Sequence, residues 1–150
     1  MKNRSSETMW AHFTATNPIG STVPNEVVLW DNQNGADTAV EQVLNGTKNS
    51  TSLALLLLQL QNRPLPKIRE HSVICNFKGE PFCIVETTSV KLVPFFSIRE
   101  AFALQEGYKS LDAWKTAHWN RFERELATFD RRPNESMIVV CEHFKKVFQE

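Results

Sequence analysis

One short stretch gathers the reactive polar groups of this chain. Residues 46–52, Gly-Thr-Lys-Asn-Ser-Thr-Ser, offer one lysine and several hydroxyls directly after a predicted helix end. Lys48 and Thr51 are three residues apart, so a turn would bring the ammonium beside the hydroxyl, whereas a straight strand would point them to opposite faces. An amine beside a hydroxyl can activate a nucleophile. The alternative is a solvated connector, and the glycines of a P-loop are absent.

Three further side chains are candidates for chemistry. Glu106 lies in a break between two predicted helices, where a carboxylate can reach a cleft; the alternative is a surface acid. Glu86 lies inside the strand pattern I-V-E-T-T and points either to solvent or into a barrel mouth. His118 shares an apolar helix face with Trp114 and Phe122, which favours a packed histidine over a functional one.

Composition and charge restrict the class of protein. The chain has 150 residues, 41% of them hydrophobic and 23% charged, which indicates one globular domain and excludes disordered and collagen-like chains. The formal net charge is zero, which favours a short or uncharged ligand over a long nucleic acid. Acids outnumber bases before residue 48, so a surface that binds polyanions is predicted in the rest of the chain.

Cysteine and histidine usage predicts a reduced, metal-free protein. The three cysteines form no C-x-x-C pair and lie in apolar runs, which is typical of core residues in a cytoplasmic protein. The four histidines lack zinc-ligand spacing, so we expect no metal and no cofactor. The N-terminus lacks the apolar run of a signal peptide, and Leu53–Leu58 is too short to span a bilayer, so no membrane partner is expected.

Hydrophobic periodicity predicts an α+β architecture with antiparallel strands, an N-terminal helix and further helices on the crossovers. The leucine run 53–60 is a buried segment whose periodicity does not separate strand from helix. A loop is predicted over 17–25 and a proline-rich loop over 61–66. The predicted helices are 5–16, 36–44, 95–104 and 110–129, and the predicted strands are 26–30, 72–77, 81–92 and 137–148.

Four blocks in order resemble the ASCH domain family in its longer bacterial branch. The first two are A-D-x-x-x-x-V-L-x-G-x-K-x-x-T, from Ala36 to Thr51, and P-L-P-K with a following hairpin, from Pro64 to Phe95. The others are E-G-x-x-S-L-x-x-W-x-x-x-H, from Glu106 to His118, and V-V-C-E-x-F, from Val139 to Phe144. The resemblance implies a PUA-like β-barrel over residues 26–150, with residues 1–25 packed on it as an N-terminal helix and loop.

The resemblance also implies an activity. Small members of the family hydrolyse N(4)-acetylcytidine and related nucleosides, and others are described as RNA-binding or RNA-cleaving. The residues of the amidohydrolases fall on Lys48 as proton acceptor, Thr51 as nucleophile and Glu106 as proton donor. We therefore expect an amidohydrolase for N(4)-acylated cytidine-type nucleosides; the alternatives are a non-catalytic module for single-stranded RNA and a ribonuclease. An oligomer is possible but not indicated.

The chain departs from the family pattern near the expected barrel mouth. The pattern F-G-D is Leu29-Trp30-Asp31 here, and the acid after E-G is Tyr108. We expect substrate contacts from Asp31, Ser50, Glu86 and Tyr108. Lys48 acts as a base only if burial lowers its pKa from roughly 10.4, and an ionised Glu106 would oppose that, so either Glu106 is protonated or Lys48 stabilises an oxyanion.

Overall fold

Five strands form one sheet in the order β1-β3-β4-β5-β2, in which every neighbouring pair is antiparallel except β1 and β3. The structure is a computed structural model that describes residues 5–18 and 25–150. The sheet curls into a half-barrel with β1 and β2 at its edges, which confirms the predicted α+β, PUA-like fold. The strands are β1 (Asn25–Val28), β2 (Ser50–Ala54), β3 (His71–Cys75), β4 (Pro81–Pro94) and β5 (Ile138–Gln149).

Side-chain caps begin three of the five helices. The hydroxyls of Ser5 and Ser110 and the amide oxygen of Asn32 accept hydrogen bonds from backbone N–H groups in the first turns of α1, α5 and α2, and satisfy donors that lack helical partners. The predicted helices at 5–16, 36–44 and 110–129 are thereby confirmed. The helices are α1 (Ser6–Thr16), α2 (Gln33–Asn45), α3 (Leu55–Leu60), α4 (Glu100–Gln105) and α5 (Leu111–Ala127).

Several boundaries differ from the sequence prediction; α2 begins three residues early, at Gln33, and β3 ends two residues early, at Cys75. The leucine run is divided, because β2 pairs with β5 as far as Ala54 and the chain then turns into α3. The helix predicted from residue 95 begins as a 3₁₀ turn, since the amides of Phe95 and Phe96 donate to carbonyls that precede β5, and α4 starts only at Glu100. The first strand ends at Val28, two residues early. Residues 1–4 and 19–24 of the predicted N-terminal segment lie outside the described residues.

Helices cover both faces of β3 and β4. Alternate residues Val73, Cys75 and Ile84 pack against Met9, Trp10 and Phe13 of α1. The intervening residues Ile74, Cys83 and Val85 pack against the α2 side chains Ala39, Val40 and Val43. A third cluster places Trp114, Phe122 and Leu126 of α5 against Ala54, Phe95 and Val139. These contacts fix α2 and α5, the two long helices that border the candidate site.

All three cysteines are buried and none is bonded to another, which confirms their predicted place in the core. Burial raises the pKa of each thiol to about 12. A thiolate nucleophile is therefore disfavoured at Cys75, Cys83 and Cys141.

Candidate functional site

The end of α2 directs Lys48 into the protein. Gly46 ends the helix with φ of 86°, a left-handed conformation that glycine adopts without a side-chain clash. The chain then turns back, because the amide of Lys48 donates to Gln42 O at 3.1 Å and that of Asn49 to Gln105 O at 2.9 Å. Lys48 is left only 6% exposed.

Glu106 meets Lys48 at the junction of α4 and α5. It caps the C-terminus of α4 and is 2% exposed, and Gly107 with φ of 92° then turns the chain towards α5. Lys48 Nζ donates to the main-chain oxygen of Glu106 at 3.3 Å and lies 3.7 Å from Glu106 Oε2. The break between helices that was predicted around Glu106 is confirmed.

His118 completes a buried cluster of three titratable side chains. Its Nδ1 lies 3.0 Å from Trp114 O and its Nε2 lies 3.1 Å from Glu106 Oε2. A carbonyl oxygen only accepts hydrogen bonds, so Nδ1 carries a proton. The contact with Oε2 needs a second proton, because two bare acceptors would repel. One proton is therefore held between His118 and Glu106.

Opposing effects set the protonation of Lys48 and Glu106. Burial lowers the pKa of Lys48, and the Glu106 carboxylate partly opposes this. Burial alone would raise the pKa of Glu106, but Lys48 and His118 outweigh it and lower the pKa to about 2. The carboxylate is therefore ionised.

A cavity of about 300 Å³ opens onto Lys48 and Glu106. We call it the Lys48 cavity. Trp30, Gly35 and Tyr108 line its sides, and burial raises the pKa of the Tyr108 hydroxyl, with the nearby Glu106 as a second cause. The volume is that of a small-ligand site, and neutral polar and aromatic groups dominate the lining.

Thr51 lines a second cavity of about 280 Å³, which we call the Thr51 cavity. In β2 the buried Ser50 and Ser52 alternate with the half-buried Thr51, so Thr51 faces the other way. Leu29 and Arg121 line the Thr51 cavity, and Arg121 also lies over the Trp30 ring of the Lys48 cavity, 4.7 Å from its centroid. The structure thus brings Lys48 and Glu106 into one cavity and places Thr51 in another.

The sequence profile described as the ASCH domain matches residues 26–148. The chain belongs to the ASCH domain family. Two solved structures share the fold at 26% identity. The first, a protein of family DUF984 from Enterococcus faecalis V583, has a TM-score of 0.90 over 95% of this chain and 87% of its own. The second, an ASCH domain from Lactobacillus crispatus JV V101, has a TM-score of 0.86 over 94% and 92%. No curated protein matches the chain.

The four expected substrate contacts of this ASCH protein lie in different places. Tyr108 lines the Lys48 cavity. Ser50 is fully buried. Asp31 forms two hydrogen bonds of 3.0 Å with Arg124, which outweigh burial and lower its pKa. Glu86 faces His71 at 3.6 Å in a separate groove. Their roles in substrate binding stay predictions.

Sequence reasoning did not assign His118 and Trp30 to the site of this ASCH protein. The apolar helix face correctly placed His118 among Trp114 and Phe122, but it did not indicate the contact with Glu106. The spacing E-G-x-x-S-L-x-x-W-x-x-x-H was the available signal, because it places His118 in the third turn of the capped helix that follows Glu106. Trp30 was visible only as a departure from the F-G-D pattern.

Two further findings concern the described residues of the ASCH chain. In ranges 5–18 and 25–150, no group of three or more His, Cys, Asp or Glu side chains is placed to hold a metal ion. The helices within those ranges are all too short or too polar to cross a bilayer.

Proposed function

We propose that this ASCH protein hydrolyses the amide bond of N(4)-acylated cytidine-type nucleosides, with Lys48 and Glu106 as its acid–base residues. The observation that carries the proposal is the buried Lys48–Glu106–His118 cluster at one side of a cavity of about 300 Å³. Strongly perturbed titratable groups in a cavity indicate acid–base chemistry. A neutral nucleoside also suits a chain of zero net charge.

The proposed reaction needs one acceptor and one donor of protons. In the form that reacts, Lys48 is the free amine, a form that burial favours by lowering the Lys48 pKa. Thr51 Oγ attacks the acyl carbon and its proton passes to that amine. The carbon–N(4) bond then breaks, and N(4) takes the proton held between His118 and Glu106 as cytidine leaves. Water hydrolyses the acyl–threonine ester to a carboxylic acid, and the Lys48 ammonium returns a proton to the Glu106–His118 pair.

Arg121 of the Thr51 cavity lies over Trp30 of the Lys48 cavity. The proposed reaction places the base in the Lys48 cavity and the acyl group towards Thr51. His118 orients the Glu106 carboxylate through its 3.1 Å contact. The alternative role of Lys48, in which it stays charged and stabilises an oxyanion, is supported by the lowered pKa of Glu106.

The test is incubation with a panel of N(4)-acylated cytidines, followed by chromatography for free cytidine. We expect turnover by the parent protein and a loss of at least about 100-fold in Lys48→Met and Glu106→Gln, the range of general acid–base catalysis. Lys109→Met and Glu100→Gln change exposed side chains of the same types and should retain turnover. Absence of turnover by the parent on every acylated cytidine would refute the proposal.

A second candidate, binding of single-stranded RNA, is favoured by a groove of about 880 Å³ beside α1. Arg69, Lys145 and Lys146 line it against one carboxylate, Glu86. Lys146 donates to Leu44 O, and Arg121 and Arg124 of α5 donate to Leu29 O and Asp31, so Arg69 and Lys145 are the basic residues to test. The affinity for single-stranded RNA would fall as the salt concentration rises. This salt dependence should be weaker in Arg69→Ala/Lys145→Ala than in the control Lys109→Ala/Lys115→Ala. No binding at low salt would remove this candidate.

A further inference from the structure

We infer that Trp30 is the specificity-determining residue of the site: its indole limits the size of the group that fits beside Lys48 in the Lys48 cavity. The inference rests on the proposed function only for the identity of the substrate. It is supported by the position of Trp30 in the cavity wall, by the contacts of its indole and by the glycine that the family pattern has at this position.

Trp30 lies in the connection between β1 and α2. The indole lines the Lys48 cavity and makes an edge contact with His118 at 5.2 Å between ring centroids. The preceding residue, Leu29, lines the Thr51 cavity. A group bound beside Lys48 in the Lys48 cavity therefore lies against the Trp30 side chain or close to it.

Several contacts hold the indole in place. The Arg121 guanidinium lies over the ring, and its Nη1 donates to Leu29 O at 3.3 Å. Asp31, the next residue, is bound to Arg124 on the same helix. Two adjacent turns of α5 thus fix the residues on either side of Trp30, and the ring is a fixed boundary rather than a mobile side chain.

Gly35 shows how closely the ring is packed. A Cβ atom added at Gly35 would lie 2.2 Å from Trp30 Cδ1, far inside van der Waals contact. Gly35 has no positive φ, so the absence of a side chain there is required by the indole and not by the backbone. The large residue at 30 and the small residue at 35 therefore form a matched pair.

Trp30 also departs from the family pattern, in which this position of F-G-D is glycine. Here the indole occupies space that glycine would leave open, and the cavity beside Lys48 has a volume of about 300 Å³. The chemical class that fits is a nucleoside with a small acyl group such as acetyl. Aromatic acyl groups such as benzoyl should be excluded by the indole.

Chemical modification of Lys48 tests the inference without any substrate. The parent protein, Trp30→Ala and Trp119→Ala are treated with acetic anhydride or the bulkier trinitrobenzenesulfonate, and Lys48 is followed by peptide mass spectrometry. Trp119→Ala is the matched control, because Trp119 is a half-buried indole that lines a different cavity. Exposed Lys109 is the internal reference for reagent activity.

We expect acetic anhydride to modify Lys48 in all three proteins and trinitrobenzenesulfonate to modify it at least tenfold faster in Trp30→Ala than in the other two. Trp30→Phe, which retains a ring, should give an intermediate rate and serves if Trp30→Ala does not fold. Equal rates in the parent and Trp30 variants overturn the inference, as does a Lys48 that no reagent reaches in any variant.

Turnover provides the second arm. Trp30→Ala should raise the ratio of N(4)-benzoylcytidine to N(4)-acetylcytidine hydrolysis, whereas Trp119→Ala should leave it unchanged. A parent without turnover refutes the proposed function alone, since the modification rates still decide the role of Trp30. Turnover with an unchanged ratio in Trp30→Ala refutes the role of Trp30 alone.

Discussion

Two neighbouring hydroxyls in β2 face the site differently. Thr51 matches the ASCH pattern for the nucleophile and lines the Thr51 cavity. Ser52 is 1% exposed, and its hydroxyl helps to lower the pKa of Glu106 although it makes no hydrogen bond of standard geometry among the described residues. Whether Thr51 or Ser52 is the nucleophile therefore depends on which face of β2 holds the attacking oxygen.

Exchange of each hydroxyl separates these roles. We expect Thr51→Ala to abolish release of cytidine while binding of the acylated nucleoside, measured by calorimetry, persists, because only the attacking oxygen is lost. Ser52→Ala is the matched control and should retain most of the turnover. Parent-like turnover by Thr51→Ala would contradict the nucleophile prediction, and a loss confined to Ser52→Ala would assign the attack to Ser52.

Acid should destabilise the protein through Glu106. Its pKa of about 2 in the folded state lies below the unfolded value of roughly 4.3, so its contribution is present above the unfolded value and is lost as pH falls towards 2. Glu106→Gln should therefore unfold with a flatter pH dependence between about pH 4.5 and 2 in urea titrations. Glu100→Gln, an exposed site on α4, should follow the parent. Parallel curves for the parent and Glu106→Gln would contradict the assigned ionisation.

At the scale of elements, capping signals predicted the ends of the helices well, whereas pairing between strands set boundaries that the sequence pattern did not predict. Ser110 as a cap and Asn45-Gly46 as a stop fixed the ends of α5 and α2, because these residues act on the backbone locally. The end of the leucine run at Ala54 depends on pairing with Val139, which lies far along the chain. Likewise the sequence alone brought Lys48 and Glu106 together only through the family pattern, since their contact is tertiary.

The turn at Gly46, at the end of α2, positions Lys48 in the site. Gly46→Ala meets no atom within 4 Å, so its cost is the left-handed backbone alone, about 1–2 kcal/mol of unfolding free energy. Gly79→Ala is the matched control, with φ of 85° and open space in a hairpin turn away from the site. We expect urea denaturation to show similar losses of stability in both. Only Gly46→Ala should also reduce turnover, because it displaces Lys48; equal turnover in the two variants would contradict this link.

At the scale of the whole molecule, α1 completes a fold that the ASCH match does not include. The helix precedes residues 26–148, yet Met9, Trp10 and Phe13 are almost fully buried against β3 and β4. His12 adds a contact of 2.6 Å with Glu150 at the end of β5. Because the same two strands carry the α2 cluster on their other face, loss of α1 contacts should weaken the sheet that positions the site.

We therefore predict that α1 and the ASCH domain unfold as one unit. Phe13→Ala removes a side chain that is 3% exposed, which typically costs about 3–5 kcal/mol, whereas Leu104→Ala changes a side chain that is 48% exposed and should cost little. Thermal unfolding followed by far-ultraviolet circular dichroism and by tryptophan fluorescence should give one coincident transition, lowered by about 10 °C or more in Phe13→Ala. Two separate transitions, or an unchanged Tm, would mean that α1 is an independent appendage. We expect one transition with a lower Tm, because both faces of β3 and β4 must be covered for the half-barrel to hold Lys48 against Glu106.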